Sequence, residues 1–466
     1  MLFNSLPFLA FAMLFFALWP WMRRQNNLKW LWICSMSFLF YGWWDWRFLF
    51  LLMGTGSIDY FCGKAILSAP RYRRFWLWFS VISNIGSLMV FKYSAWLVNL
   101  FNQACNEWGF VSCHAPAIPE FSLILPIGIS FYTFNSLGYT IDLYRGKAEP
   151  ARNWLHFMAF ISFFPHLVAG PVIRARDVLQ QLNRHIQTGN LQIYNGIKTC
   201  IWGYFQKMVL ADNLAVFVNA QFNDHTATDA LSWWICMLAF AFQIYFDFNG
   251  YSTIARGIAK LCGIHFRLNF NHPYRSGSFS EFWQRWHISL STFFRDYVYI
   301  ALGGNRKGQV RTELNRWATM LLSGLWHGAN LTFLIWGALH ALFLSVENIL
   351  KRIPLKPARL IKALRYPLVL AAVTLAWVFF RSETSAEAID ICAYMLQFKG
   401  GGNVRELLMS NGFVWLSLAL LIEYGLPFIR VPRQLPFWAG PLFWALLLAA
   451  TIHFRGPEQD FIYFQF

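Results

Sequence analysis

Residues 317–350 read WATMLLSGLWHGANLTFLIWGALHALFLSVENIL, and this stretch decides the kind of protein the chain encodes. Its 34 positions carry one charged side chain, Glu347, and are flanked by Arg316 on one side and by Lys351 and Arg352 on the other. A single helix of that length would run about 51 Å at 1.5 Å per residue, too long for a hydrocarbon layer of about 30 Å. Basic flanks favour the cytoplasmic face of a membrane, so both ends belong on one side and the chain must enter and return. Gly328-Ala329-Asn330 is the natural break, because it is a weak helix-forming tripeptide. The reading is a helical hairpin with His327 at its turn, deep in the protein.

The surroundings extend the same pattern. The chain is 57% hydrophobic and 13% charged, where a soluble domain carries roughly 25% charged residues. The 24 Trp suit a bilayer interface. Net charge is +17, but the Lys and Arg are spread over short loops between apolar runs. That is a topology signal rather than a nucleic-acid surface. Leu2–Trp21 lacks a charged leader and a cleavage site, so it reads as a retained span. The basic loops 22–29, 71–74 and 145–152 then fall on the cytoplasmic side, and spans 28–43, 48–66, 75–98 and 121–144 alternate between them. Residues 153–169 are basic at both flanks and read as a re-entrant segment. Spans 193–221, 231–250, 366–380, 412–429 and 437–453, with a polar 381–411 loop, bring the total to about eleven, a count set by hydropathy. The fold class is all-α, a single polytopic membrane domain over 1–466 in a cell membrane, in contact with lipids and not with nucleic acid.

Residues 251–316 carry ten Lys or Arg against three acids. Ser278 and Glu281 form a capping-box pair, after which Phe282, Trp286, Leu290, Phe293, Tyr297 and Ala301 recur at helical spacing. The region reads as a basic cytoplasmic surface with one amphipathic interfacial helix. No phosphate-binding loop, nucleophile elbow or zinc motif occurs, and the eight Cys form no metal-ligand spacing. Cys105 and Cys113 share an external loop and can pair there under oxidising conditions.

Ionisable groups in the membrane are functional candidates because burying them is costly. His327 reads as a general base, since imidazole titrates near neutrality. As the base it must be reachable by a substrate from the cytoplasmic side. His340 lies 13 residues on, about 220° round a continuous helix, and reads as structural. His287 reads alone as an interface histidine, and His166 and Asp247 each read as a gate, a helix anchor or an ordinary satisfied polar group. These residues leave an enzyme and a transporter equally open.

LPIGISFYTF (125–134), FFPHLVAGPVIR (163–174), YFDFNGYS (245–252), FWQRWHISLSTFFRDYVYIALGGNR (282–306), LWHGANLTFLIWGALH (325–340) and FIYFQF (461–466) resemble, in order, the membrane-bound O-acyltransferase family. The likeness is greatest to its bacterial branch of alginate O-acetylation and teichoic-acid D-alanylation proteins. The resemblance implies an O-acyltransferase with catalytic His327 and His287. It implies transfer of an acyl group, acetyl above all, from a cytosolic thioester to hydroxyls of an extracytoplasmic polysaccharide such as alginate, through a periplasmic esterase-like partner. No bound cofactor or metal is expected. The donor, acetyl-CoA or an acyl-carrier thioester, is anionic and suits the basic region, where Arg285, Arg295, Asn305 and Arg306 are its candidate ligands. The competing readings are a non-enzymatic glycan or lipid transporter and a family member acting on lipid hydroxyls.

Overall fold

A computed structural model describes residues 1–107, 119, 124–168, 170–224, 229–353, 359–397, 409–425, 436 and 438–464. Its regular elements are all helical, with no strand among the described residues. Four helical runs are long and apolar enough to cross a membrane: Pro70–Glu107, Ala230–Leu261, Leu331–Leu350 and Ala363–Arg381. Leu6–Met22 and Ala439–His453 are apolar but shorter. Phe50, Trp78, Leu368 and Leu446 are among many large apolar side chains left exposed, which a lipid-facing surface explains and a water-facing one does not. The chain divides into two compact units, Met1–Ile197 with Ala255–Phe266, and Lys198–Ile254 with Arg267–Phe466.

The first unit contains α1 (Leu6–Met22), α2 (Asn26–Asp45), α3 (Arg47–Ser68), α4 (Arg73–Leu88), α5 (Ser94–Glu107), α6 (Ile129–Tyr144), α7 (Trp154–Ile161), α8 (Phe164–Leu167) and α9 (Ala175–Asn183). One of its buried carboxylates, Asp59 of α3, accepts from Ser80 Oγ at 2.5 Å, from Asn84 Nδ2 at 2.8 and 2.9 Å, and from Ser136 Oγ. Such satisfaction is what permits an acid at that depth. The 153–169 segment folds as the two short helices α7 and α8, both buried. The longer has eight residues, about 12 Å, and so cannot cross a bilayer. Buried irregular backbone of this kind is what a re-entrant segment requires. Gly128 (φ +77°) lies against it, with a Cβ there only 2.4 Å from the Leu167 carbonyl, so only glycine fits. His166 is a satisfied core group, Nε2 2.9 Å from the Phe160 carbonyl and Nδ1 3.3 Å from Asn135 Nδ2. Cys113 lies outside the described residues.

α10 (Asn190–Tyr204) leads through a π-helical turn, Phe205–Ala211, into α11 (Asp212–Asp224), and α12 follows as Ala230–Leu261. The helix predicted to end at 250 continues to Leu261, because the polar residues after Tyr251 alternate with buried Ile254, Ala255, Ile258 and Ala259.

The later elements are α13 (Phe279–Arg285), α14 (Ile288–Phe294), a π turn (Arg295–Tyr299), α15 (Gln309–His327), α16 (Leu331–Leu350), α17 (Arg359–Arg381), α18 (Ser385–Gln397), α19 (Asn411–Leu420) and α20 (Ala439–His453). The hairpin forms at the expected break: Gly328 is extended, and the Asn330 side chain caps α16 by accepting from Thr332 N at 3.1 Å. The legs touch through glycine, since a Cβ at Gly324 would lie 2.2 Å from the Phe333 carbonyl and one at Gly337 2.5 Å from that of Met320. α15 begins at Gln309 rather than 317, and the expected 381–411 loop contains α18.

The interfacial helix needs correction. Ser278 Oγ does accept from Glu281 N at 3.1 Å, starting α13 as the capping pair predicts. The helix then breaks at Trp286-His287, where His287 adopts φ +39°, and restarts as α14. Phe282, Trp286, Leu290 and Phe293 are buried on both sides of the break, so this is a kinked core element and not one straight helix on an interface.

Candidate active site

All site geometry below lies within the second unit. The break at His287 is paired edge to edge with the 269–271 segment. Ile288 N donates to the Asn269 carbonyl at 2.8 Å, and Asn271 N donates to the Arg285 carbonyl at 2.9 Å. These bonds replace the helical ones lost at the kink. A left-handed non-glycine backbone of this type costs of order 1–3 kcal/mol and gathers at functional sites.

The kink turns the His287 ring into the core, where it is 0% exposed. Its Nδ1 lies 3.2 Å from Asn269 Oδ1. The orientation of that amide is set independently. Asn269 Nδ2 donates to Ser252 Oγ at 3.1 Å, and Oδ1 also accepts from Ser289 N at 3.2 Å and Ser289 Oγ at 2.8 Å. An oxygen facing Nδ1 makes Nδ1 the protonated nitrogen. Nε2 is thereby the lone-pair nitrogen, and it has no hydrogen-bond partner among the described residues. Phe248 stands edge-on to the ring at 4.5 Å.

His327 ends α15, at the floor of the hairpin, and is 3% exposed. Four aromatic rings enclose it: Trp326 at 4.9 Å, Trp336 at 5.0 Å, Phe380 at 5.2 Å and Tyr463 at 5.5 Å between ring centres. The sequence reading requires an imidazole that substrate can reach, and here the ring is buried among these side chains. Burial of this kind makes the surroundings of the ring dry and low in dielectric.

The two histidines belong to one aromatic cluster. Trp326 lies 6.1 Å from His287 and 4.9 Å from His327, and Tyr463 lies 6.4 Å and 5.5 Å from the same two rings. The Tyr463 hydroxyl is buried without a hydrogen-bond partner among the described residues. His340 joins from the other side through Trp336, whose centre is 4.7 Å from it. It is fully buried, with both ring nitrogens lacking a protein partner among the described residues.

The donor candidates do not converge on this cluster. Arg285 pairs with Glu281 at 2.8 Å and donates to the Asn271 carbonyl at 3.2 Å, and Arg295 pairs with Asp296 at 2.8 Å. Asn305 and Arg306 are exposed in the turn before α15. Among the described residues no group of three or more His, Cys, Asp or Glu could hold a metal ion. Asn269, Trp336, Phe380 and Tyr463 were given no role from sequence. Tyr463 and Trp336 stand inside quoted strings, whereas nothing in the sequence around Asn269 marks it.

Comparison with known proteins agrees with this architecture. The profile of the membrane-bound O-acyltransferase family matches residues 152–382, which contain both histidines. The chain is 38% identical to the Probable alginate O-acetylase AlgI of Pseudomonas aeruginosa, over 88% of this chain and 79% of that one. It is 39% identical to the protein of the same name from Azotobacter vinelandii, over 93% and 85%. It is 32% identical to the Peptidoglycan O-acetyltransferase of Helicobacter pylori, over 86% and 80%. With these identities over most of its length, the chain belongs to the membrane-bound O-acyltransferase family and is an O-acyltransferase.

Proposed function

We propose that this protein moves an acetyl group from a cytosolic thioester, acetyl-CoA or an acyl-carrier protein, towards hydroxyls of an extracytoplasmic polysaccharide of the alginate type. It does so in the bacterial inner membrane and hands the group to a periplasmic acyltransferase partner. The observation that carries the reading is the pair of buried imidazoles in one aromatic cluster, one with its tautomer set by Asn269. The names of the relatives support acetyl as the group and a cell-envelope glycan as its destination.

In chemical terms, an imidazole nitrogen takes the proton of an attacking hydroxyl as its oxygen adds to the thioester carbonyl. Collapse of the adduct breaks the carbon–sulfur bond, and the thiolate leaves with the proton. Groups in this role contribute about 10²–10⁴ in rate. Arg285, Arg295, Asn305 and Arg306 would meet the donor's phosphates before it reaches the cluster, as an electrostatic guide.

The test is His327→Ala and, separately, His287→Ala, purified in detergent and assayed with labelled acetyl-CoA, the periplasmic partner and the glycan. Each should insert and remain monodisperse while transfer falls by at least about 10². A fully active His327→Ala protein refutes the assignment. Rapid quenching and mass spectrometry of the intact chain separates direct transfer from an acyl-histidine route.

A further inference from the structure

The ion pairs of the second unit include one with no place in the chemistry above. Lys207 Nζ lies 2.7 Å from Asp212 Oδ1 and 2.8 Å from Asp247 Oδ1, with all three side chains almost completely buried. Lys207 sits in the π-helical turn Phe205–Ala211, a rare geometry that recurs at functional positions. Its helix reaches α12 through glycine: a Cβ at Gly203 would lie 2.8 Å from the Gly250 carbonyl, and one at Gly250 3.1 Å from the Lys207 Cβ.

The charges do not end with one another. Lys207 Nζ also donates to the Gln459 carbonyl at 3.1 Å, and Asp247 Oδ2 accepts from Ile462 N at 2.8 Å. Around them, Gly456 N donates to the Met208 carbonyl at 2.8 Å, and Asn213 Nδ2 donates to the Phe454 carbonyl at 3.0 Å. Residues 454–462 are therefore held through their backbone by groups on the 205–213 stretch and α12, and through the ring of Phe461, which is buried against Phe248 and Tyr251. The residue after Ile462 is Tyr463, whose ring stands beside both histidines.

We infer that Lys207, Asp212 and Asp247 form a buried charged clamp that docks the 454–464 segment and so positions the Tyr463 ring in the histidine cluster. The inference rests on the reading of His287 and His327 as the reaction centre. Two observations favour a clamp over an ordinary structural ion pair. A buried pair is weak evidence for stability by itself, because desolvation offsets much of the attraction. Here the outward-facing valences of both Lys207 and Asp247 are spent on the segment that delivers the Tyr463 ring to the site. Gly456 lies so close to the clamp that a Cβ would be 2.8 Å from Asn213 N and 2.9 Å from the Asp212 carbonyl carbon. The three charged residues touch neither histidine and act as positioning residues.

The experiment compares the full chain with Lys207→Met, Asp247→Ala, Lys207→Arg and Gly456→Ala, using hydrogen exchange of the detergent-solubilised protein and acetyl transfer from labelled acetyl-CoA. In Lys207→Met and Asp247→Ala, peptides covering 454–464 should exchange at least about tenfold faster, with other regions unchanged, because only local opening is involved. Turnover should fall about 100-fold, the cost of a displacement near 1 Å at a reacting centre. Lys207→Arg, which keeps the charge, should restore both. If a charge variant does not fold, Gly456→Ala keeps all three charges and should show the same two changes. Unchanged exchange in the segment overturns the inference, as does faster exchange with full turnover. The exchange arm needs no acyl donor. An active His327→Ala protein would therefore remove the catalytic reading without moving that arm, and the two failures are distinguishable.

Discussion

Asn269 carries the sharpest consequence of the site geometry. Its Oδ1 receives Ser289 N, Ser289 Oγ and His287 Nδ1 at 3.2, 2.8 and 3.2 Å, and its Nδ2 reaches Ser252 Oγ at 3.1 Å. Asn269→Leu keeps the volume and removes all four contacts. The Ser289 hydroxyl can turn to His287 Nδ1, which is already 3.4 Å away. The lost hydrogen bonds are worth about 0.5–1.5 kcal/mol each, so the variant should melt lower yet still fold. The larger effect is on chemistry. A hydroxyl can donate or accept, so Nδ1 is no longer obliged to hold the proton, and Nε2 ceases to be fixed as the lone-pair nitrogen that the proposed reaction would use. Transfer should fall towards the whole general-base contribution, about 10²–10⁴. Asn269→Asp offers the same acceptor and should retain more activity than Asn269→Leu. The assay is turnover with labelled acetyl-CoA in detergent beside a melting curve. Parental turnover in Asn269→Leu, or equal loss in the Asp and Leu variants, would refute the reasoning.

Two further outcomes follow from packing and charge. Gly337→Ala places a Cβ 2.5 Å from the Met320 carbonyl, so the hairpin legs must separate, and the melting curve should record a loss of about 1–3 kcal/mol or more. Asp45, the last residue of α2, is held below the ordinary carboxylate range by hydrogen bonding to Arg47. A depressed carboxyl adds stability above its unfolded titration that is lost as pH falls. The pair is exposed to solvent, however, and Arg47→Ala should leave the melting temperature unchanged at pH 7 and pH 4 alike.

The hairpin was legible because its three signals are local: apolar length, basic flanks and a weak tripeptide. His327 could be placed at its turn from those alone. The kink at His287 was not legible, since the apolar positions Phe282, Trp286, Leu290 and Phe293 keep helical spacing straight through it. What breaks the helix is the remote 269–271 segment taking over its backbone bonds, and no periodicity reports that. Burial of His287 was missed for the same reason. Local basic charge suggested an interface, while the ring turns away from its own charged neighbours. Asp247 showed only that it was an acid near a helix end. Its partners, Lys207 and Ile462 N, are distant in sequence, so an anchor could not be told from a gate.

The closed surroundings of His327 make a claim about reaction partition, and Phe380 tests it. Phe380 is 1% exposed and lies 5.2 Å from the imidazole, with Phe333 at 5.0 Å and Trp377 at 5.1 Å on its other sides. Phe380→Ala removes a phenyl ring between packed aromatics, a change that costs about 3–5 kcal/mol when the space does not collapse. A cavity of that size holds water where polar partners are present, and the imidazole and the buried Tyr463 hydroxyl would supply them. A water there competes with the acceptor hydroxyl for the acyl carbon. The expected result is therefore a rise in labelled acetate released per acetyl group transferred, beyond any fall in total turnover. Phe380→Leu, which leaves a smaller gap, should fall between the parent and Phe380→Ala. Because the ratio is taken within one sample, loss of folded protein lowers both products and leaves it unmoved. An unchanged ratio in Phe380→Ala would mean that water is excluded by something other than this ring shell.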